Sequence, residues 1–473
     1  MSVEVVRRRR LVVAAVAVGM VVVLVVAVIA LAGGGDDGGS PKAPASDAAR
    51  LVPSDALVYV HLSTDPDRAQ TRDAAKVAAS FPSWASLRDG IVSRLQAPGC
   101  DVATKALKTA DEAALAIFDT GTTTQANSLV LVDTGKEHPG AEQRACGSLS
   151  STYVGTFLAI GQPESLNAAA TLQKAGGKGS LAEAPGPKRE MGALPEDRVA
   201  DGWLSADGLR RLLAPQGGLL GAAGVLFDQP TLVGAAFGIA GKGDRVSLTV
   251  KSQLDPKLKA KGAAASFKPF EATLAGVVPA DAMAYLGVSN LAPALQRLLA
   301  AAGSSSDTIE QLAGSLDGPL LKAFPGEAAV VLTEATPAPI LTIVANAKDP
   351  VAAQKALDDL PASVRKTLSS AVFDGKVAVS TDPKGIAAIR AKGQRLVDTT
   401  NWRKAVGNHP DLLGSLLFLN FTRLLTLGEA TGLGDSSAYK AAKGDLTKVQ
   451  AIGASTTGND SESTAEISLL VTQ

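Results

Sequence analysis

An internal duplication is the feature of this chain that most constrains its fold. Leu51-Val-Pro-Ser-Asp-Ala-Leu-Val-Tyr-Val60 returns as Val277-Val-Pro-Ala-Asp-Ala-Met-Ala-Tyr-Leu286. The segments after each copy recur in the same order, at offsets of roughly 212 to 226 positions. About 420 residues follow the N-terminal region, and the duplication divides them into two halves that are each large enough to bury a core.

The repeated blocks have the patterns of strands and short helices. Paired apolar runs predict strand pairs at Asp111–Phe118 with Ser128–Val132, and at Gly326–Thr333 with Ile340–Val344. The next blocks predict a helix in each half, at Lys136–Gly147 and Lys348–Asp359, and then strands at Tyr153–Ile160 and Ala371–Ser380. Each half is predicted to close with a hairpin, at Thr231–Gln253 and Lys448–Gln473. Hairpins separated by helices predict an α+β fold with mainly antiparallel sheets, arranged as two pseudo-repeated halves packed by helices.

The N-terminus predicts a membrane anchor. Arg7 to Arg10 precede Leu11–Ala32, twenty-two residues without charge. As a helix this stretch is roughly 33 Å long, which is enough to cross a bilayer. The positive-inside rule places the arginines in the cytoplasm and everything after the span outside it. A cleaved signal peptide ending at Ala30-Leu-Ala32 is the alternative, although its apolar region is typically shorter.

These patterns divide the chain into six segments. They are a cytoplasmic basic tail, a transmembrane anchor, a flexible linker, an exported first repeat, a connecting segment and an exported second repeat, at residues 1–10, 11–32, 33–49, 50–255, 256–275 and 276–473. The linker is rich in glycine, serine and proline, so it holds the exported part within roughly 20 to 25 Å of the membrane. Charge is balanced at 46 basic and 46 acidic residues, which predicts no nucleic-acid partner.

The two cysteines predict a disulfide. Cys100 and Cys146 both lie in the exported first half, where an oxidising environment favours a bridge. Closing a loop of this length stabilises a fold by about 4 kcal/mol in the chain-entropy picture. The pair lacks the spacing of a redox motif and has no further cysteines that would complete a zinc site.

Signatures of catalysis are missing from the sequence. His61, His138 and His409 occupy different places in the repeat and predict no metal site. There is no G-x-S-x-G, H-E-x-x-H or P-loop motif, so we predict no cofactor. An enzyme is therefore not favoured, although an acid/base pair of carboxylates distant in sequence stays open.

The repeated Pro-x-Asp element has a structural interpretation and a functional one. Pro53 with Asp55, and Pro279 with Asp281, would form turns that end one element and begin the next strand. The alternative makes the two aspartates paired sites in two equivalent clefts. Tyr59 and Tyr285 follow in strand registers and are predicted to be core or half-buried aromatics.

An apolar stretch without charge, Leu212–Phe227, belongs to the first half alone. The residues proposed to make its apolar contacts are Leu219, Leu220, Val225, Leu226 and Phe227. A buried helix between the halves is one interpretation. A flap that contacts lipid, an apolar ligand or another protein is the other, because exposed apolar patches mark such contacts.

The segment from Leu51 to His61, the downstream Phe81-Pro82 and the single anchor with its linker resemble a bacterial family, domain of unknown function 3352. The resemblance implies an exported or membrane-anchored protein without an assigned activity, so no functional residues carry over. We expect a single-pass extracytoplasmic protein with its N-terminus in the cytoplasm. Its most favoured role is a non-catalytic binding or organising module of the cell envelope, with an envelope protein or lipid as partner. A carrier or sensor of an apolar ligand and an unrecognised hydrolase are the alternatives.

Overall fold

The computed structural model describes residues 43–44, 46–65, 67–86, 110–119, 126–138, 142–210, 231–258, 268–289, 291, 326–335, 338–360 and 362–472. In this part the chain has the predicted α+β fold, with antiparallel strands and short helices. Residue contacts divide the chain into two compact units, with the main boundary between Ala260 and Lys261. Among the described residues no helix is long and apolar enough to cross a membrane, and the predicted anchor Leu11–Ala32 lies outside them.

The described part of the first repeat contains nine strands. They are β1 (Val58–Ser63), β2 (Glu112–Asp119), β3 (Ala126–Asp133), β4 (Arg144–Cys146), β5 (Leu149–Val154), β6 (Phe157–Gly161), β7 (Ala200–Ser205), β8 (Leu232–Lys242) and β9 (Arg245–Leu254). Its helices are α1 (Ala69–Ala79), α2 (Pro163–Lys174), α3 (Pro185–Gly192) and α4 (Ala206–Gly208), with short 3-10 helices at Asp47–Leu51 and Pro256–Leu258.

The described part of the second repeat contains eight strands. They are β10 (Ala284–Val288), β11 (Ala328–Thr333), β12 (Ile340–Asn346), β13 (Ser369–Phe373), β14 (Lys376–Ser380), β15 (Ser415–Asn420), β16 (Val449–Gly458) and β17 (Glu462–Val471). Its helices are α5 (Pro350–Asp358), α6 (Ala362–Thr367), α7 (Pro383–Arg390), α8 (Thr400–Val406), α9 (Phe421–Ala430) and α10 (Ser437–Leu446), with 3-10 helices at Thr273–Val277, Leu396–Asp398 and Leu433–Asp435.

The two repeats pair their strands in the same order. In the first repeat the order is β9-β8-β7-β1-β2-β3-β6-β5-β4, and in the second it is β17-β16-β15-β10-β11-β12-β14-β13. All these pairs are antiparallel, and β4 is the one strand without a counterpart in the described residues. Each repeat therefore places its first strand between its second strand and the strand that precedes its closing hairpin.

The strands of each repeat bury aromatic side chains on the face that its helices cover. Tyr59 in the first repeat and Tyr285 in the second are both completely buried, at corresponding positions of β1 and β10. In the second repeat Trp402 on α8 packs edge-on against Tyr285 and tilted against Phe418, with ring centroids 5.3 and 5.4 Å apart. The tyrosines are core residues, as their strand positions predict.

One predicted helix is wrong. Residues 348–359 do contain a helix, α5, whose first turn is capped by the side chain of Asp349. The corresponding stretch of the first repeat, Lys136–Gly147, instead contains the strand β4, which turns at Gly147 into β5. Gly147 has a φ of +62°, a left-handed conformation that suits a tight hairpin turn and that glycine adopts without strain.

Candidate functional site

A buried histidine lies between two carboxylates in the first repeat. Strand β1 pairs with both β2 and β7, so His61 sits opposite Ala114 on one side and Asp201 on the other. Because side chains alternate along a strand, Glu112 shares the face of Ala114 and lies next to His61. His61 and Asp201 are 0% exposed and Glu112 is 3% exposed. Strand pairing thus gathers residues that lie up to 140 positions apart in the chain.

Asp201 holds one side of the imidazole. Its Oδ1 lies 3.1 Å from Nδ1 of His61, and Nε of Arg198 donates to its Oδ2. An ionised carboxylate accepts hydrogen bonds only, so we assign the Nδ1 proton to the ring. Burial by itself would raise the pKa of Asp201, but the hydrogen bond from His61 and the charges of His61 and Arg198 lower it below its ordinary value. Asp201 is therefore a buried anion with two positive or donating neighbours.

Glu112 faces the other side of the imidazole. Its Oε1 lies 3.5 Å from Nε2 of His61 and accepts a hydrogen bond of 2.8 Å from the backbone N–H of Ala48. Its Oε2 accepts a hydrogen bond of 3.2 Å from the backbone N–H of Asp47. Burial raises the pKa of Glu112 to about 7, although His61 and the two N–H groups act in the opposite direction. Near neutral pH this carboxyl is therefore close to its titration midpoint.

The second repeat has the same glutamate with different neighbours. Glu327 accepts a hydrogen bond of 2.8 Å from the backbone N–H of Leu274, another from the hydroxyl of Thr273, and a third of 3.2 Å from the side-chain amide of Asn346. Burial raises its pKa, and these neutral donors lower it in part. The shared role of Glu112 and Glu327 is to hold the 3-10 helix that precedes the first strand of each repeat.

The histidine and its aspartate have no equivalents in the second repeat. The strand registers place Gly287 at the position of His61 and Leu416 at the position of Asp201. A Cβ atom on Gly287 would lie 2.6 Å from the hydroxyl of Tyr285, so this position has no room for a side chain unless the tyrosine moves. The His61–Asp201 pair is therefore a feature of the first repeat, added to a glutamate that both repeats share.

The chemistry open to this cluster is proton binding rather than attack on a substrate. A general base must reach the proton that it removes, and His61 has no exposed surface. Both oxygens of Asp201 already have partners, since Oδ1 lies against Nδ1 of His61 and Oδ2 accepts from Nε of Arg198. Across the described ranges, no group of three or more His, Cys, Asp and Glu residues is arranged to hold a metal ion.

The predicted turn residues form turns in both repeats. The backbone N–H of Ala56 donates to the carbonyl of Pro53, and that of Ala282 donates to the carbonyl of Pro279. Pro53 makes an isolated bridge with Ser180, and Pro279 makes one with Arg395. The side chains of Asp55 and Asp281 are exposed.

The other predicted site residues are scattered. Cys146 is buried at the end of β4, whereas Cys100 lies outside the described residues, so the disulfide stays a prediction. His138 packs at a tilt against Tyr153 with ring centroids 3.9 Å apart, and the half-buried His409 contacts the carbonyl of Pro410. The apolar segment with Leu219, Leu220, Val225, Leu226 and Phe227 also lies outside the described residues.

Sequence reasoning missed the role of His61, Glu112, Asp201 and Arg198. The available signal was a polar residue on the inward face of a strand. His61 follows Tyr59 by two positions, and Glu112 precedes Ala114 by two, so each shares a face with a residue expected in the core. Buried polar groups of this kind need partners, and the partners come from strands that are distant in the chain.

Comparisons with known proteins add little to this description. No family model matches the chain, and no curated protein matches it. Two solved structures, crystal forms I and III of TP0453, are each 11% identical to this chain. They cover 46% and 48% of this chain and 82% and 83% of their own, with TM-scores of 0.25 and 0.26. A similarity this weak supports no statement about the fold or the function of the present protein.

Proposed function

We propose that this chain is a single-pass membrane-anchored extracytoplasmic protein whose two repeats act as a non-catalytic module of the cell envelope. The proposed location rests on the four arginines Arg7 to Arg10 before the uncharged stretch Leu11–Ala32. The proposed role is to bind or organise an envelope partner close to the membrane, within the reach of the linker at residues 33–49.

The observation that carries the non-catalytic role is the burial of the polar cluster. His61, Glu112 and Asp201 come together in the described residues, and all three are at most 3% exposed. Their partners lie within the first repeat: Arg198 donates to Asp201, the backbone N–H groups of Ala48 and Asp47 donate to Glu112, and Nδ1 of His61 is held by Asp201. A group arranged in this way stabilises the fold and takes up protons, and a substrate has no path to it without local opening.

The strand order that the two repeats share also supports a binding role. The two repeats present the same strand order, so the chain carries two similar scaffolds on one anchor. Two modules joined in one chain raise the effective concentration for a partner that meets both, which strengthens attachment without catalysis. The side chains that differ between the repeats then determine the specificity of each copy.

The proposed function predicts a partner that depends on the anchor. Full-length protein is crosslinked in intact membranes, isolated, and analysed for captured proteins and for lipids in the same sample. The matched control is the chain from residue 33 onward, exported behind a cleavable signal peptide. We expect one reproducible envelope protein in the crosslinked full-length sample and at least tenfold less of it with the released chain, because release lowers the effective concentration.

Two outcomes would contradict this proposal. A lipid bound at about one molecule per chain, with no protein partner, would favour a carrier of an apolar ligand. Equal capture of the protein partner by anchored and released chains would show that the anchor plays no part in the interaction.

A further inference from the structure

We infer that the outer edge of β13 pairs with β13 of a second copy of this chain, which joins two second repeats into a two-fold dimer. This goes beyond the proposed function, because it names a partner that the proposed function leaves open. It holds whether or not an envelope protein also binds, and it concerns the second repeat alone.

The corresponding edge of the first repeat is covered by the chain itself. There, β5 and β6 form a hairpin equivalent to β13 and β14, with Ser150 and Ser151 at the positions of Ser369 and Ser370. Strand β4 pairs with the outer side of β5, and its Arg144 lies opposite Ser151. In the second repeat the residues before β13 form the helix α6 instead, and within the described part of that repeat β13 pairs with β14 alone. The first repeat therefore shows that this edge accepts an antiparallel strand.

The turn between β13 and β14 determines which backbone groups face the outer edge. Both residues of Asp374–Gly375 have positive φ, +47° and +68°, which is the conformation of a two-residue hairpin turn. The residues that flank this turn, Phe373 and Lys376, form a hydrogen-bonded pair. Alternate residues of β13 then bond to β14, and the N–H and C=O groups of Ser370 and Val372 point to the outer edge.

The outer edge of β13 carries none of the usual features that prevent pairing. Edge strands are commonly protected by charged residues, proline or a bulge. The stretch Leu368–Phe373 has no charged residue and no proline, and its pairing with β14 is regular. Leu368 and Val372 pack against the apolar cluster that includes Leu357 of α5, and Ser370 between them is exposed. This edge therefore favours pairing with another strand.

The edge is complementary to a second copy of itself. Two antiparallel copies centred on Ser370 place this serine opposite its equivalent, and they place Leu368 opposite Val372 of the second copy. All three residues face outward with their backbone groups, so this register uses every outward-facing pair. Their side chains share the face of α5, where Val372 and Pro350 line a groove beside the edge. The pairing thus joins apolar side chains on both sides of a pair of small polar ones.

Charges at the two ends of β13 also match in this register. Lys366 lies just before the strand and Asp374 lies at the turn after it, and both side chains are exposed. Antiparallel pairing brings Lys366 of each copy toward Asp374 of the other. Lys376, which is the other charge near the turn, belongs to the inner strand β14. Opposite charges therefore meet across the edge, which favours a second copy as the partner.

Disulfide trapping of the full-length chain in intact membranes tests this register. Ser370→Cys places one thiol of each copy across the two-fold axis. The Cα atoms of such a hydrogen-bonded pair are about 5.5 Å apart, which a disulfide can span. After mild oxidation with copper phenanthroline, we expect a covalent dimer on a non-reducing gel.

Two further cysteine variants are the controls for this experiment. Leu412→Cys places a thiol at a 54% exposed site of the same repeat, away from β13. Ser151→Cys places one at the equivalent edge position of the first repeat, which β4 covers. The chain without an added cysteine corrects for Cys100 and Cys146. Each control should give about tenfold less covalent dimer, because its thiols lack a fixed partner within disulfide distance.

Hydrogen exchange of the unmodified full-length chain in detergent gives a second measurement. The N–H groups of Ser370 and Val372 should become better protected as the protein concentration rises. Once most of the chain is dimeric, a rise of about 100-fold should increase their protection about tenfold, because the fraction of free subunits falls with the square root of the concentration. The N–H of Ser151 pairs with β4 of the same chain, so its protection should not change.

Three results would overturn the inference. One is no more covalent dimer from Ser370→Cys than from Leu412→Cys. Another is protection of Ser370 and Val372 that does not depend on concentration. The third is protection found in membranes but at no concentration of the purified chain, which would identify a strand of another envelope protein as the occupant. If Ser370→Cys does not fold, the exchange measurement on the unmodified chain decides.

Discussion

Replacing Asp201 by asparagine is expected to lower the free energy of unfolding of the first repeat by about 3 to 5 kcal/mol at neutral pH. The substitution keeps the size of the side chain but removes the charge that faces both His61 and Arg198. Arg198 is then left without its counter-ion in a buried site. Hydrogen exchange of the amides in β1 and β7 at increasing urea concentration measures the free energy of unfolding of this repeat separately from that of the other.

A nearby exposed aspartate provides the control. Asp207 lies in α4, directly after β7, and its side chain is exposed. Asp207→Asn should change the free energy of unfolding by no more than about 0.5 kcal/mol. The difference between the two variants should also shrink in acid, because the lowered pKa of Asp201 makes its contribution disappear as its carboxylate becomes protonated. Similar small losses of the free energy of unfolding in both variants would show that the charge of Asp201 is not needed to stabilise the cluster.

Replacing Trp402 by alanine is expected to lower the free energy of unfolding of the second repeat by about 3 to 5 kcal/mol. Trp402 is 4% exposed and contacts the rings of Tyr285 and Phe418. Its removal leaves a cavity between α8 and the covered face of the sheet, and it removes the edge-to-face contact with Tyr285. Urea-dependent exchange of the amides in β10 and β15 measures the loss.

An exposed apolar residue of the same repeat is the matched control. Val351 on α5 is 80% exposed, so Val351→Ala removes little buried surface and should change the stability by about 0.5 kcal/mol or less. If Trp402→Ala cost no more than this control, the aromatic cluster would not be the core of the second repeat.

Much of the fold could be predicted because the sequence contains the same blocks twice. The match between Leu51–Val60 and Val277–Leu286 predicts equivalent strands, and β1 and β10 have equivalent neighbours in the strand order of their repeats. The closing hairpins β8–β9 and β16–β17 were also predicted, from polar turn residues between two apolar runs. The prediction failed at Lys136–Gly147, where a strand replaces the helix found in the other repeat. A shared ancestry of the blocks does not require each short element to be kept.

The candidate site could be predicted only in part. The Glu-Ala-Ala match of Glu112 and Glu327 marks a feature common to both repeats, and both side chains hold the preceding 3-10 helix. The grouping of His61 with Asp201 depends on the pairing of β1 with β7. That pairing joins the first strand to one late in the repeat, so no local spacing in the sequence reveals it.

Cysteine labelling in intact cells tests most directly whether the two repeats lie outside the cytoplasmic membrane. Val351→Cys places a thiol at an exposed site of the second repeat, and Val3→Cys places one in the predicted cytoplasmic tail. The chain without an added cysteine corrects for Cys100 and Cys146. With a membrane-impermeant maleimide, we expect labelling at position 351 before the membrane is opened and at position 3 only afterwards, both on a membrane-bound chain. Protection of position 351 until the membrane is opened would contradict the proposed topology.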